Sequence, residues 1–223
     1  MNIVAIIGSP HGMQGNTGTL LQSLVESAES AGARVNVFSL AAMKVKPCVA
    51  CDVCHKTGEC AVRDDFGKIK DAMLCADGVV LASPNYIMSV SAQMKAMMDR
   101  CCGLLHCQAL DGKYAAAVVS SGGNGGEIVE DYLLRFLRFM GSWTVGSVNA
   151  QVGQLIDGAT RAGCLESAAR LGKNLVEAIA KKKTFKGQVK EKQAFAGRMK
   201  ALVSARQEDW PFEYKLWKSL GRL

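Results

Sequence analysis

Apolar positions along this chain alternate between two periods. Met1 to Ile7 is a short apolar run closing at Gly8, as in a strand buried on both faces. Thr17 to Ala31 carries Leu20, Leu21, Leu24, Val25 and Ala28 at helical spacing. Arg34 to Leu40 returns to a strand pattern. Asp64-Asp65 opens a helix with Phe66, Ile69, Ala72 and Met73 on one face. Gly78–Ala82 predicts a third strand and Ser91–Leu105 a Met- and Ala-rich helix. Tyr114–Ser120 predicts a fourth strand, Gly126–Met140 a helix and Trp143–Val148 a fifth strand. Thr160–Ala180 predicts a last core helix, followed by a shorter one near Val189–Ala205 and a tail anchored by Trp210, Phe212 and Trp217.

Strands that alternate with helices imply a parallel sheet covered on both faces. Five such units predict an α/β, flavodoxin-like, doubly wound sheet of order 2-1-3-4-5. The expected division is a domain over residues 1–180, with a cysteine-rich loop at 44–64, and a helical extension over 181–223.

Composition adds that 49% hydrophobic residues suffice for a large core. Charge is uneven: 12 of the 27 Lys and Arg, but only four of the 20 Asp and Glu, lie from Lys181 onward. That balance suits a solvated helical extension packed on a neighbouring subunit, or a tail meeting an acidic partner. No nucleic-acid motif accompanies it. No apolar run approaches the ~20 residues of a membrane span. The first residues lack a basic secretory region, so a soluble cytoplasmic protein is expected.

Four of the nine cysteines fall in one segment, Pro-Cys-Val-Ala-Cys-Asp-Val-Cys-His-Lys-Thr-Gly-Glu-Cys. Cys48, Cys51, Cys54 and Cys60 are thus spaced C-x2-C-x2-C-x5-C. Steps of two residues aim three thiolates at one centre, and the longer gap brings the fourth back. Iron–sulfur clusters are held by thiolates at such spacings. Zinc usually takes separated pairs, and redox-active or unligated thiols are the third reading. Cys75, Cys101, Cys102, Cys107 and Cys164 are expected in apolar or helical surroundings; the Cys101-Cys102 pair could also touch a ligand or react. His55, beside the motif, is either an exposed loop residue or a modulator of the bound centre.

In an open α/β sheet a ligand lies beyond the carboxyl ends of the strands, where strand order reverses. Three strand ends carry unusual loops. The first, Gly8 to Thr19, holds Ser9, Pro10, His11, Gly15, Asn16, Thr17 and Gly18 and opens a helix. Its amides and hydroxyls suit one phosphate. Neither a Walker loop nor G-x-G-x-x-G is present. The second, Ser83 to Ser89, offers Pro84, Asn85, Tyr86, Ile87 and Met88, flat and soft surfaces for a flavin ring. The third, Ser120 to Gly126, includes Ser121, Gly122 and Gly123 and lets backbone approach a ligand closely.

With Gly-Ser-Pro-x5-Asn-Thr, Ser-Pro-x-Tyr, Ser-Val-Ser-Ala-Gln-Met-Lys-x3-Asp-Arg and the compact cysteine motif, residues 1–180 resemble the iron–sulfur flavoproteins. These are relatives of the NADPH-dependent FMN reductases. The resemblance implies FMN and a [4Fe-4S] cluster. It makes Cys48, Cys51, Cys54 and Cys60 the cluster ligands and puts the FMN phosphate at Ser9, Asn16 and Thr17. Pro84, Asn85, Tyr86 and Ile87 would border the isoalloxazine, with Ser121, Gly122 and Gly123 on another side. It further implies a homodimer or homotetramer, with each cluster facing a neighbouring subunit's flavin.

The leading expectation is a redox flavoprotein. A ferredoxin-like one-electron donor feeds the cluster, and electrons pass through FMN to an acceptor. The cofactors carry such chemistry, so no acid–base triad is expected. His11, His55 and His106 show no pairing with a Ser or Cys nucleophile in the sequence. An NAD(P)H-dependent FMN or quinone reductase with a structural metal or free cysteines, and a non-enzymatic redox-sensing or binding module with a basic tail, are the alternatives.

Overall fold

The computed structural model describes residues 1–223. The elements run β1 (Asn2–Ile7), α1 (Asn16–Ser30), β2 (Arg34–Ser39), α2 (Val53–Thr57), α3 (Phe66–Cys75), β3 (Gly78–Pro84) and α4 (Ala92–Asp99). They continue α5 (Cys102–His106), β4 (Tyr114–Ser121), α6 (Gly126–Phe139), β5 (Trp143–Gln151), α7 (Val152–Ile156), α8 (Gly158–Ala180), α9 (Lys186–Ala205) and α10 (Pro211–Ser219). All strand pairs are parallel, in the order β2-β1-β3-β4-β5. This is the flavodoxin-like order expected from the apolar runs. β3 and β4 are buried along their whole length, as continuous apolar runs require.

Two apolar layers sandwich the sheet. On one face Ile6, Leu81, Ala117 and Val119 pack with Ile69, Met73, Met94, Met97, Leu133 and Leu137 from α3, α4 and α6. On the other, Ile3, Ile7, Val80 and Val118 pack with Leu20, Leu24, Leu171 and Leu175 from α1 and α8. Gly172 permits the close α1–α8 approach, since a Cβ there would stand 2.4 Å from the Leu24 carbonyl oxygen.

The structure corrects three expectations. The single helix expected over Ser91–Leu105 is two, α4 and α5, broken where the Arg100 side chain turns inward to buried partners. β5 runs on to Gln151 and is followed by the short α7, which no periodicity announced. The aromatic tail contains a further helix, α10, begun by Pro211 at its first turn. This extension lies on its own chain: Trp217 is buried and its indole donates to the His106 carbonyl at 3.1 Å. The Phe139 and Phe195 rings stack at 4.2 Å between α6 and α9. The expected packing on a neighbouring subunit is therefore not needed to bury its apolar face. No helix is long and apolar enough to cross a membrane.

Candidate functional site

Two sites lie at the ends of α4. At its start, Ser91 caps the helix and its hydroxyl donates to the Gly8 carbonyl at 2.6 Å, tying the loops after β1 and β3 together. These strands are neighbours whose connections diverge, the switch point of the sheet. The loop after β1 is closed on itself, because a Cβ at Gly18 would stand 2.3 Å from the Met13 carbonyl oxygen. Gly15, the N-cap of α1, offers no side chain, and the amides of Asn16, Thr17 and Gly18 meet no protein acceptor. Such unpartnered amides at a helix start make an anion cradle. Thr17 and Ser120 join through their hydroxyls at 2.7 Å, bringing the loop after β4 to the cradle. Ser9 is buried here, while Pro10 and His11 face solvent.

Beside this cradle the turn after β3 is strained outward. Ile87 and Met88 take φ of 49° and 61°, and Ile87 is 99% exposed. Tyr86 is 45% and Met88 51% exposed, so three large apolar side chains face outward together. Positive φ in a β-branched residue is an outlier retained where the site requires it. Asn85 donates to the Asn124 carbonyl at 3.1 Å and leaves its buried Oδ1 without a partner. Gly122 and Gly123 border open space, and Ser121 bonds within their turn. The buried Oδ1 of Asn149, on β5, also lacks a partner; sequence reasoning missed this residue. An amide cradle, an exposed apolar plate and orphaned acceptors fit a flavin mononucleotide in charge, shape and hydrogen-bonding capacity.

At the other end of α4 lies the cysteine loop. Cys48, Cys51, Cys54 and Cys60 all line one cavity of about 290 Å³. Ala50 and Asp52 adopt left-handed backbone conformations between them, and α2 begins at once. One buried side chain holds the loop. The Arg100 guanidinium donates to Cys60 Sγ at 3.1 Å, to the Lys46 and Val62 carbonyls at 3.0 and 2.8 Å, and to both Asp64 oxygens at 2.9 and 3.1 Å. It also lies over the Phe66 ring at 4.5 Å. Asp64 accepts in addition from the Lys46 and Phe66 amides. Burial opposes its charge, yet the Arg100 bonds hold its carboxyl below the usual range. Arg100 ends the quoted Lys-x3-Asp-Arg stretch, but nothing in that stretch says where its side chain goes.

The structure sets side by side a histidine and a cysteine that the sequence did not pair. His55 is buried rather than exposed, and Cys102 is exposed rather than part of the core. His106 Nε2 lies 3.7 Å from Cys102 Sγ. The Nδ1 atoms of His55 and His106 lie 2.5 and 3.2 Å from the two oxygens of Glu213, which α10 buries completely. Trp210 stacks on both imidazoles, at 4.6 and 5.0 Å. Hydrogen bonds from His106 and His55 bring the Cys102 thiol down to about 6. Bonds to Cys102, Cys54 and Glu213 push His55 up to about 12. At His106 burial opposes the charge, but Cys102 and Glu213 still raise it to about 9. Burial opposes the Glu213 charge as well, and the two imidazoles keep it low. Cys101 and Cys107, by contrast, are core thiols pushed by burial to about 12. The spacing of Cys102 and His106, four apart on a helix, was the one local signal available.

Comparison with known proteins decides the family. Residues 1–155 match the model of the NADPH-dependent FMN reductase family. An iron–sulfur flavoprotein of Archaeoglobus fulgidus is 34% identical over 184 residues, 82% of either chain. The chain belongs to the iron–sulfur flavoproteins of the FMN reductase family. A further iron–sulfur flavoprotein, from Methanocaldococcus jannaschii, is 33% identical over 80% of this chain and 97% of its own. Among solved structures, an NAD(P)H:quinone oxidoreductase from Methanothermobacter marburgensis superposes with a TM-score of 0.61 at 16% identity, covering 78% of this chain and 98% of that one. An archaeal flavodoxin superposes at 0.54 and 20% identity, covering 81% and 99%. These two likenesses show the fold. Family membership makes the chain a redox flavoprotein and an FMN-dependent oxidoreductase, which removes the non-enzymatic reading.

Proposed function

We propose that this flavoprotein takes electrons singly from a ferredoxin-like donor and hands them to an acceptor. A [4Fe-4S] cluster on Cys48, Cys51, Cys54 and Cys60 and FMN in the loops after β1, β3 and β4 would supply the redox chemistry. The observation that carries the reading is the convergence of four cysteines on one cavity with the Arg100 guanidinium on one of their sulfurs.

Each residue then has a task. Arg100 donates to Cys60 and places a positive charge against the thiolate cage, stabilising added negative charge there. The Asn16, Thr17 and Gly18 amides bind a phosphate, and Thr17 with Ser120 fixes the cradle to β4. Tyr86, Ile87 and Met88 cover a flat ring and exclude water from it. Helix α4, eight residues and so about 12 Å long, separates the two sites within one chain. A homodimer or homotetramer would bring a cage against a neighbour's flavin plate; the exposed Ile87 supports such a covered arrangement.

The deciding experiment is anaerobic purification followed by iron, sulfide and flavin assays and an absorption spectrum. About four irons and one FMN per chain are expected from a four-thiolate cage. Colourless protein holding zinc and no flavin would overturn the proposal. For the electron path, reduced ferredoxin should bleach the flavin faster than NADPH does. Faster bleaching by NADPH would favour direct hydride reduction instead. In a verified monomeric variant FMN should remain and rapid cluster-to-flavin transfer should be lost; unchanged transfer would place the path within one chain.

A further inference from the structure

The group of His55, Cys102, His106 and Glu213 supplies no ligand in the flavin and cluster reading, although two of its members border the cysteine cavity. It joins three distant parts of the chain: α2 in the cysteine loop, α5 after β3, and α10 in the extension. His55, Cys102 and His106 are the only set of three or more His, Cys or acidic residues whose donor atoms all lie within 4.8 Å of one another. We propose that they form a second metal site, with two imidazoles and one thiolate, suited to Zn²⁺.

Three features carry this. The first is ligand spacing. For a tetrahedral Zn²⁺ at about 2.0–2.1 Å from nitrogen and about 2.3 Å from sulfur, N···S separations come to roughly 3.6 Å. His106 Nε2 and Cys102 Sγ are 3.7 Å apart. The second is the shell behind the ligands. Metal-bound histidines hand their other ring N–H to a carboxylate, which fixes the tautomer and the ring plane. Here one buried carboxylate serves both rings, since Glu213 accepts at both Nδ1 atoms through its two oxygens. Nε2 of each ring is therefore the nitrogen left for a metal. Trp210 lies against both rings and restrains them further.

The third feature is charge and access. One thiolate and the Glu213 carboxylate offset a divalent cation without a further anion. Cys102 is exposed while His55 is buried, so the site is built from within and open to solvent on the thiol side. Three protein ligands with an open fourth position are the arrangement of zinc sites that keep a water. Asp52 Oδ1, 3.7 Å from His55 Nε2, is the nearest further carboxylate. The site is distinct from the four-cysteine cage, although His55 follows Cys54 directly and both His55 and Cys102 border the cage cavity.

The test uses the anaerobically purified full chain with its own flavin and iron. The protein is equilibrated with Zn²⁺, freed of unbound metal, and measured for zinc content and zinc K-edge X-ray absorption. The expected result is one zinc retained per chain with a shell of one sulfur and two imidazoles. Cys102→Ala and His106→Gln should each abolish that retention while iron and flavin contents stay at the parental level. Because Cys102 is exposed, its replacement tests the site without disturbing the core. Glu213→Gln should weaken zinc binding about 10- to 100-fold, the usual loss when such a partner is removed. A sulfur-only zinc shell would put the metal in the cage and overturn the proposal. So would zinc retention unchanged in both variants, or no retained zinc. Missing iron or flavin would instead count against the proposed function, so the two failures are distinguishable.

Discussion

Removing the Arg100 side chain should do more damage than any other single polar change outside the cysteines. In Arg100→Met the methionine keeps much of the packing against Phe66 but leaves Asp64 as a buried carboxylate without its cation. Both side chains of this pair are 1% exposed. Breaking a buried pair by deleting one partner costs about 3–5 kcal/mol. The Lys46 and Val62 carbonyls lose their donor as well, which places the expectation at the upper end of that range. At about 2–4 °C per kcal/mol for a chain of this size, the thermal midpoint should fall by roughly 10–20 °C. Arg100→Lys should recover only part, because one ammonium cannot serve Cys60, two carbonyls and both Asp64 oxygens at once. The assays are anaerobic thermal and urea unfolding of the full chain, followed by absorbance of the iron centre and by circular dichroism. Asp64→Asn and the double variant complete a cycle, in which the double loss should be smaller than the sum by about 1–3 kcal/mol. Acid should reveal the same pair. Asp64 is held below its ordinary pKa, so its contribution is full above about pH 4 and lost as pH falls through its lowered value. An Arg100→Met variant within about 1 kcal/mol of the parent, or a strictly additive cycle, would refute this account of the loop.

Other outcomes follow from the same geometry. His106 titrates higher in the folded chain than unfolded, so its contribution is full below about pH 6.5 and should fade as pH rises toward about 9. Thermal melts in chelator-containing buffer should show this decline, and His106→Asn should flatten it; an equal slope in both would exclude His106 as the source. Thr17→Val leaves the buried Ser120 hydroxyl unpaired and should cost about 1–3 kcal/mol together with weaker FMN binding, read by flavin fluorescence titration. Ile87→Asp should leave stability within about 0.5 kcal/mol, since the side chain is 99% exposed, yet weaken FMN binding; unchanged affinity would remove Ile87 from the flavin plate. Cys51→Ser should lose iron and keep FMN, checked by the same two assays on one preparation.

Local pattern determined a great deal here. Val79, Val80 and Leu81 form a strand because a continuous apolar run buried on both faces has few other stable uses. Leu20, Leu24 and Ala28 form one helical face because 3.6-residue spacing stacks them. From the order of such elements the strand order 2-1-3-4-5 follows, and with it the crevice beyond β1 and β3. The cysteine spacing lay within 13 residues and needed no fold to be seen. Tertiary structure alone decided the partners of buried charge. Arg100 meets Asp64 across 36 positions and Cys60 across 40. Glu213 meets His55 across 158 and His106 across 107. No periodicity encodes such pairings, because a charged side chain has no local preference that names its counter-ion. It is drawn inside only when packing closes around it, and an unpaired buried charge costs too much to persist. The sequence alone therefore determined the layers, the crevice and the thiol cage. The wiring around them, including the extension's carboxylate between two imidazoles, came only from the chain's return upon itself.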